Sequence, residues 1–285
     1  MNGTIIEKVN LTDKVWKVTV EARMIAEERK AGQFIMLQVD EEFGERIPLT
    51  IADANAENGW ISLIFQEVGH STKALATMDV GDVIPVLVGP LGEPTEIKKF
   101  GRVVCVGGGI GVAPLHPIVQ ALKKAGNHVT TIIGSRTSNL LILENEMTNW
   151  SDRLITVTDD GSKGQKARVT EPLKEVCEKE KPDLVVAIGP AIMMKFCAET
   201  TRPYGVHTLV SLNTIMVDGT GMCGGCRVTV DNQVKFVCVD GPEFDGHKVD
   251  FENMMARLKS YEAMEKRCDD CNLNKAVDSI IKERG

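Results

Sequence analysis

The chain has 285 residues, of which 43% are hydrophobic and 26% charged, with a formal net charge of −7. This composition is ordinary for a globular protein with one large domain, or two domains and a small appendage. The acidic excess argues against a nucleic-acid partner, since phosphate binding needs a basic surface. The N-terminus resembles no secretory signal and no apolar run approaches about 18 residues, so we expect a cytoplasmic protein without a membrane partner.

The first hundred residues are typical of a β-rich domain. Short segments rich in Val, Ile and aromatic residues are separated by turn residues, which predicts strands at residues 4–9, 15–20, 34–39, 60–65 and 83–87. A short helical turn is expected near residues 71–77. This pattern predicts a β-barrel or sandwich, and we assign it to residues 1–98.

From Gly101 onward, apolar strands alternate with helices. Strands are predicted at residues 102–106, 129–133, 154–158, 184–188 and 207–210. Helices are predicted at residues 114–126, 171–180 and 191–200. The alternation indicates a parallel sheet covered by helices on both faces, in a domain spanning residues 99–212.

The first strand of this domain runs into a glycine-rich turn that opens a helix. Glycines allow a pyrophosphate to approach the backbone, and the helix N-terminus favours its negative charge. A turn of this kind can also be simple tight packing, but the strand–loop–helix context favours nucleotide binding. The candidate residues are Gly107, Gly108, Gly109, Ile110, Gly111, Val112, Ala113 and Pro114.

Other polar and glycine-containing turns follow neighbouring strands, where sheets of this type bind ligands. Taken singly, each turn is also compatible with an ordinary connection. Arg136 follows the second strand, where it would fit a 2′-phosphate of NADP, a phosphate of NAD, or solvent. The remaining candidates are Asp159, Asp160, Gly161, Gly189, Pro190 and Met193.

Eight cysteines are present, and in a reducing compartment clustered cysteines favour metal binding over disulfides. Cys105, Cys177 and Cys197 stand alone in apolar patterns and are interpreted as buried free thiols. A second set, Cys223, Cys226 and Cys238, is grouped among glycines.

The spacing of this group resembles the plant-type iron–sulfur pattern C-x₄-C-x₂-C…C, with Asp218 at the position of the first cysteine. We therefore predict a [2Fe–2S] cluster bound by one carboxylate and three thiolates, within residues 213–250. Zinc with Asp218 or His247 as fourth ligand is the alternative, and Asp218 would also fit a simple turn. Cys268 and Cys271, in a helical tail at residues 251–285, are interpreted as exposed or interface thiols.

Two segments of the barrel resemble the ferredoxin–NADP reductase superfamily. Residues 46–51 read Arg-Ile-Pro-Leu-Thr-Ile and residues 68–72 read Val-Gly-His-Ser-Thr. In many members the arginine lies three residues before the Ser/Thr, whereas Arg46 lies four before Thr50. The resemblance implies FAD bound by Arg46, Pro48, Leu49, Thr50, Ile64, Phe65, Gln66, Gly69, His70, Ser71 and Thr72.

The cysteine segment resembles the electron-transfer subunits of dihydroorotate dehydrogenase and the small subunits of NADH-dependent reduced ferredoxin–NADP oxidoreductases. Asp218 in place of a cysteine, residues 246–251 and the tail favour the second group. That resemblance implies hydride exchange between NAD(H) and FAD, a [2Fe–2S] relay, and a larger flavin/iron–sulfur partner subunit binding NADP(H) and ferredoxin. A zinc-containing nucleotide-binding redox sensor is the rival hypothesis.

Overall fold

The computed structural model describes residues 1–42 and 44–260. Its N-terminal part is a seven-stranded antiparallel sheet with the order β6-β1-β2-β5-β4-β3-β7. The strands are β1 (Gly3–Thr12), β2 (Val15–Glu21), β3 (Phe34–Gln38), β4 (Ile47–Asn55), β5 (Trp60–Gln66), β6 (Val83–Ile84) and β7 (Val86–Leu91). Because β6 and β7 are consecutive in the chain, the two edges of the sheet come together. The result is a nearly closed barrel, which confirms the predicted fold of this region.

The barrel is filled by inward-facing side chains of its strands. Fully buried members include Ile5, Ile35, Ile51, Leu63 and Phe65. Two helices close it, α1 (Arg23–Glu28) and α2 (His70–Thr77), of which only the second is predicted. Neither α1 nor β4 stands out in the sequence. The helix is too short to show periodicity, and β4 contains a proline and polar residues that are unusual in strands.

The second sheet is parallel through six strands, in the order β11-β10-β9-β8-β12-β13. These are β8 (Arg102–Gly108), β9 (His128–Ser135), β10 (Arg153–Thr158), β11 (Gln165–Lys166), β12 (Leu184–Ile188) and β13 (His207–Ser211). The helices are α3 (Val112–Lys124), α4 (Glu144–Trp150), α5 (Thr170–Glu180) and α6 (Ala191–Thr201). The α/β prediction is confirmed, with β11 and α4 as additions.

The chain order within this sheet reverses beside β8. From β8 the chain moves outward to β9 and β10, then returns across the sheet to β12. Such a reversal opens a crevice at the carboxyl ends of the two strands on either side of it, where open α/β sheets bind ligands.

The cysteine segment contains the hairpin of β14 (Arg227–Val230) and β15 (Gln233–Phe236), a short helix α7 (Val237–Asp240), and β16 (Glu243–Asp245). Strand β16 pairs antiparallel with β13 and completes the edge of the parallel sheet. The segment is therefore joined to the nucleotide-binding sheet by main-chain hydrogen bonds. Helix α8 (Phe251–Leu258) follows. Cys268 and Cys271, and most of the predicted tail, lie outside the described residues.

Two apolar cores connect these parts. On one face of the parallel sheet, Ala52 and Ile64 of the barrel belong to the same buried cluster as helix α3. On the other face, Phe34 and Met36 of β3 belong to the same buried cluster as Cys226. No helix in the described part of the chain is long and apolar enough to cross a membrane.

Candidate cofactor sites

The glycine turn after β8 is shaped by close packing. A Cβ atom added to Gly108 would lie 2.3 Å from the sulfur of Met193, and one added to Gly111 would lie 2.4 Å from the carbonyl oxygen of Ile188. Gly109 has a φ of +55°, and a Cβ there would meet nothing within 4 Å. The turn is therefore packed against β12 and α6 on one side and open on the other.

The turn after β12 meets the glycine turn at the reversal point. Met193 lies over Gly189 as well as Gly108, since a Cβ on Gly189 would be 2.8 Å from the terminal methyl carbon of Met193. Pro190 precedes the first residue of α6. Val112 and Ala113 are buried in the first turn of α3, so the helix begins two residues before Pro114. The structure thus brings together two of the predicted nucleotide-binding segments.

The third segment lies on the other side of β8. The ends of β9 and β10 are adjacent, with Ser135 opposite Thr158, and the backbone N–H of Asp160 donates to the carbonyl of Arg136 at 3.2 Å. Hydrogen bonds from the side chain and backbone of Ser162 lower the pKa of the exposed Asp160 carboxyl. Arg136 is exposed beside this carboxylate loop, as a group contacting the ribose end of a nucleotide would be.

The predicted flavin segment on the barrel lies in β4. Pro48, Leu49 and Thr50 are half-buried and pair with β3. Arg46 is exposed, and its Nε donates to the side-chain oxygen of Gln38 at 3.4 Å. In β5, which carries the next predicted flavin residues, Ile64 and Phe65 are buried and Gln66 is exposed.

The second segment of the barrel that resembles the superfamily, residues 68–72, forms the start of α2. The hydroxyl of Thr72 accepts hydrogen bonds from the backbone N–H groups of Val68 and Gly69, both at 3.1 Å. Ser71 is buried and His70 is partly exposed. A Cβ on Gly69 would meet no atom within 4 Å, so the helix N-terminus opens to free space. An anionic group there would be stabilised by the helix dipole.

Two cysteine sulfurs converge in the C-terminal segment. The Sγ atoms of Cys226 and Cys238 lie 3.2 Å apart, too far for a disulfide bond. Each side chain is 1% exposed. Burial raises the pKa of the Cys238 thiol to about 12, so a positively charged metal centre is needed to hold it as a thiolate. The backbone N–H of Cys238 points at the sulfur of Cys226, a contact that stabilises thiolate ligands of iron.

The third cysteine lies on an exposed glycine loop. The Cys223 sulfur accepts a hydrogen bond from the backbone N–H of Gly225 at 3.4 Å. A Cβ on Gly219 would lie 2.5 Å from Met36 of the barrel, and the Gly241 carbonyl accepts from the backbone N–H of Glu93 at 2.6 Å. The donor set and its anchoring to the barrel fit an iron–sulfur centre held by thiolates.

Asp218 organises this loop through its carboxylate. One oxygen accepts from the backbone N–H of Thr220 and the other from that of Cys223, both at 2.8 Å. These bonds, led by that of Thr220, lower its pKa. Among the described residues, no three His, Cys, Asp or Glu side chains converge as a metal-binding group. Through its bonds to Thr220 and Cys223, Asp218 acts as a turn residue, and its ligation of a cluster stays a prediction.

His247, the other candidate fourth ligand in the zinc alternative, contacts helix α6 in this structure, and its ligation of a metal stays a prediction. Its Nε2 lies 2.9 Å from the hydroxyl of Thr201 on α6, which in turn bonds the hydroxyl of Thr208. His247 thus fixes the residues after β16 to the nucleotide-binding sheet.

Two titratable groups near these sites have no signal in the sequence, the half-buried Glu243 and the buried His116. Glu243 on β16 accepts from the hydroxyl of Thr95 at 2.6 Å, where the barrel, the sheet and the cysteine segment meet, and burial raises its pKa to about 7. His116 on α3 contacts the carbonyl of Ala52 in β4. Both depend on partners far away in the chain, which a linear pattern does not reveal.

Comparison with known proteins matches two family models. The iron–sulfur cluster binding domain of dihydroorotate dehydrogenase B matches residues 213–250. The oxidoreductase NAD-binding domain matches residues 105–199. Together they cover the nucleotide-binding turns and the cysteine segment described above.

Relatives match over nearly the whole chain. The dihydroorotate dehydrogenase B (NAD(+)) electron transfer subunit homolog of Thermotoga maritima is 47% identical over 270 residues, covering 93% of this chain and 95% of that protein. The electron transfer subunit of dihydroorotate dehydrogenase B from Clostridium perfringens is 31% identical over 252 residues, with 87% and 97% covered.

A solved structure of the NADH-dependent reduced ferredoxin–NADP oxidoreductase, described for flavin-based electron bifurcation, superposes with a TM-score of 0.88. It is 46% identical, with 93% of this chain and 95% of that chain covered. The ferredoxin reductase of carbazole 1,9a-dioxygenase, at 17% identity and a TM-score of 0.62, shares the fold alone. The chain belongs to the family of dihydroorotate dehydrogenase B electron-transfer subunits and their homologues, and is an oxidoreductase subunit with NAD-binding and iron–sulfur-binding domains.

Proposed function

We propose that the chain exchanges hydride between NAD(H) and a bound FAD and relays single electrons through a [2Fe–2S] cluster to a larger subunit. That subunit would bind NADP(H) and ferredoxin in an electron-bifurcating complex. In this proposal residues 1–98 bind FAD, 99–212 bind NAD(H), 213–250 bind the cluster, and 251–285 form a tail.

One observation carries the proposal, namely the placement of the buried thiol pair. Cys226 and Cys238 belong to the same apolar core as Phe34 and Met36, which pair with the proposed flavin segment of β4. The same segment of chain pairs with the nucleotide-binding sheet through β16. A short path between three cofactors requires such a junction.

On the nucleotide side, the chain's own residues bind and orient the dinucleotide. The open face at Gly109 offers backbone N–H groups and the N-terminus of α3 to its pyrophosphate. Met193 limits how far the dinucleotide enters between the two turns. Arg136 and the loop of Asp160 would contact its ribose, and we propose NAD(H) as the partner because of the family role.

On the flavin side, β4 would line the isoalloxazine through Pro48, Leu49 and Thr50, with Arg46 beside them and the N-terminus of α2 at the pyrophosphate. When bound, the flavin supplies the conversion between two-electron and one-electron transfer. The barrel and the sheet contribute position and exclusion of water, so no catalytic base is assigned.

The partner would dock at the exposed side of the cysteine loop. Val217, Met222 and Val239 are 58%, 85% and 40% exposed. Val217 lies close to Gly225 and Val239 close to Gly221, so these apolar side chains lie on or beside the loop that carries Cys223. An apolar rim around a redox centre is suited to a protein contact that brings two centres close.

The test is the absorbance spectrum of the anaerobically purified chain, before and after addition of NADH. Flavin bands over a broad iron–sulfur envelope, both bleached by NADH, are expected. A colourless protein that contains zinc would refute the proposal in favour of the redox sensor. Metal analysis with two irons and two acid-labile sulfides per chain would identify the cluster type.

A second candidate function is electron transfer to the catalytic subunit of dihydroorotate dehydrogenase, which the names of several relatives favour. Mixing the purified chain with either candidate partner distinguishes the two. Reduction of NAD coupled to dihydroorotate oxidation would support the second candidate. Exchange with NADP(H) and ferredoxin would support the first.

A further inference from the structure

Strand β4 changes its pairing partner halfway along, and a β-bulge follows the change. Its first half pairs with β3 and its second half with β5. In the pairing with β5, the register slips between Ile51 and Asp53, so Ala52 is the extra residue of a β-bulge. Ala52 is 2% exposed, and a buried carbonyl needs a hydrogen-bond donor.

The donor comes from the nucleotide-binding domain. Nδ1 of His116 lies 3.3 Å from the Ala52 carbonyl oxygen. His116 is 6% exposed and lies on α3, five residues after Gly111. Since a carbonyl only accepts, Nδ1 carries the proton. Nε2 then accepts from the side-chain amide of Gln120, 3.0 Å away and one helical turn further on.

The surroundings favour the neutral ring. Burial lowers the pKa of His116, and the nearby Arg29 adds to this effect. The hydrogen bond to Ala52 and the carboxylates of Asp53 and Glu146 act in the opposite direction but are outweighed. A neutral ring with a proton on Nδ1 satisfies both of its partners, whereas a protonated ring would direct an N–H at the amide donor of Gln120.

We propose that His116 is a positioning residue for hydride exchange. It fixes α3, which follows the glycine turn, against β4, which carries the proposed flavin segment two to four residues before the bulge. The proposal rests on the function proposed above. The surrounding contacts of Ala52 with α3 are apolar and non-directional, whereas this hydrogen bond defines one distance and angle.

This contact affects rate more than binding. Hydride donor and acceptor must approach to about 3–3.5 Å, and a misplacement of about 1 Å costs on the order of 100-fold in rate. Losing the hydrogen bond would shift the two segments relative to each other without removing any group that touches NADH. The expected signature is a slower chemical step at unchanged affinity.

The test compares two amide variants of the full-length, flavin-loaded chain. In H116N the side-chain amide can donate from the position of Nδ1, whereas in H116Q the donor is moved to the position of Nε2. Anaerobic stopped-flow reduction by NADH gives the limiting rate constant and the apparent Kd. H116N is expected within about threefold of wild type, and H116Q about tenfold slower, with Kd within about twofold in both.

Equal rate constants in wild type, H116N and H116Q would overturn the proposal, as would equal slowing in both variants. If H116Q does not retain flavin, Gln120→Leu replaces it. Without the amide of Gln120, the neutral ring can carry its proton on Nε2 instead of Nδ1, and the hydrogen bond to Ala52 is then lost. Reduction is expected to slow about threefold. A wild-type rate would overturn the proposal. If NADH does not reduce the flavin bound to the wild-type chain, the proposed function itself is refuted, and this inference with it.

Discussion

The glycine turn after β8 and the cysteine loop are both rich in glycine, but different forces shape them. In the first, Gly108 and Gly111 exclude side chains because neighbouring groups lie against them. In the second, Gly219, Gly221 and Gly224 adopt positive φ values, and both Met222 and Cys223 are exposed. At Gly108 and Gly111 the nucleotide turn is thus held by protein packing. The cysteine loop has less packing of its own, so a bound cluster would contribute to its stability.

Removal of a thiol should have the largest effect, and it should affect the cysteine segment without affecting the nucleotide turn. In Cys226→Ser, the buried sulfur pair is lost, so we expect loss of the cluster absorbance and at least about a 100-fold decrease in electron transfer to a one-electron acceptor. Flavin reduction by NADH should stay within about threefold of wild type, because the nucleotide turn does not depend on the cluster. Absorbance and stopped-flow kinetics measure both quantities.

Cys177→Ser is the matched control, since Cys177 is also fully buried but lies in α5. It should retain the cluster. Loss of the iron–sulfur spectrum in this variant, or its retention in Cys226→Ser, would contradict the assignment of the thiol ligands.

Gly111→Ala should disturb the nucleotide turn and leave the cysteine segment intact. Its Cβ would lie 2.4 Å from the carbonyl oxygen of Ile188, so the start of α3 and the end of β12 must move apart at a cost of about 1–3 kcal/mol. We expect weaker NADH binding and a lower free energy of unfolding, with the cluster spectrum unchanged. Denaturant titration and NADH titration measure these effects.

Gly126→Ala, at the other end of α3, serves as its control. There a Cβ would meet nothing within 4 Å, and only the φ of +82° is unfavourable, which costs about 1 kcal/mol. NADH affinity should not change in this variant. Equal loss of affinity in both variants would show that the turn is not a nucleotide site.

Two variants of Asp218 separate its role as a turn residue from its predicted role as a cluster ligand. Asp218→Asn keeps an acceptor for the turn but removes the charge, whereas Asp218→Cys restores the four-cysteine pattern. If Asp218 ligates iron, the cysteine variant should change the reduction potential on the order of 100 mV and alter the electron paramagnetic resonance spectrum. A wild-type spectrum and potential in both variants would leave it as a turn residue only.

The smallest expected effect concerns Glu243, which joins the end of the cysteine segment to Thr95. Its folded-state pKa of about 7 lies above the ordinary value of 4.5, so the folded chain binds this proton more tightly than the unfolded chain. Its contribution to stability is present in acid and is lost as pH rises from about 4.5 to 7. Between pH 6 and pH 8 this amounts to about 1 kcal/mol.

Glu243→Gln should remove this part of the pH dependence, because a neutral amide still accepts from Thr95. Urea denaturation of wild type and variant at both pH values measures the difference. Glu175→Gln, on the exposed side of α5, is the control and should behave as wild type. Identical pH dependence in all three proteins would contradict the buried position of Glu243.

The sequence contains enough local information to predict the barrel, the parallel sheet and the glycine turn. Strands such as β8 and β12 are continuous apolar runs, and the turn between β8 and α3 involves neighbouring residues. Strand β4 is not predicted, because Pro48 and polar residues obscure it. The partner of Glu243 is 148 residues away in the chain, and that of His116 is 64 residues away. No local pattern encodes such contacts.

Strand β16 has a consequence for synthesis of the chain. Until Phe244 and its neighbours leave the ribosome, β13 has an open edge with unpaired backbone groups, of the kind that pairs with other chains and aggregates. That edge is closed only after the whole cysteine segment has been made. A nascent chain truncated before residue 243 should therefore lack a finished nucleotide-binding sheet, and quality control of the sheet and of the metal segment would act on the same folding event.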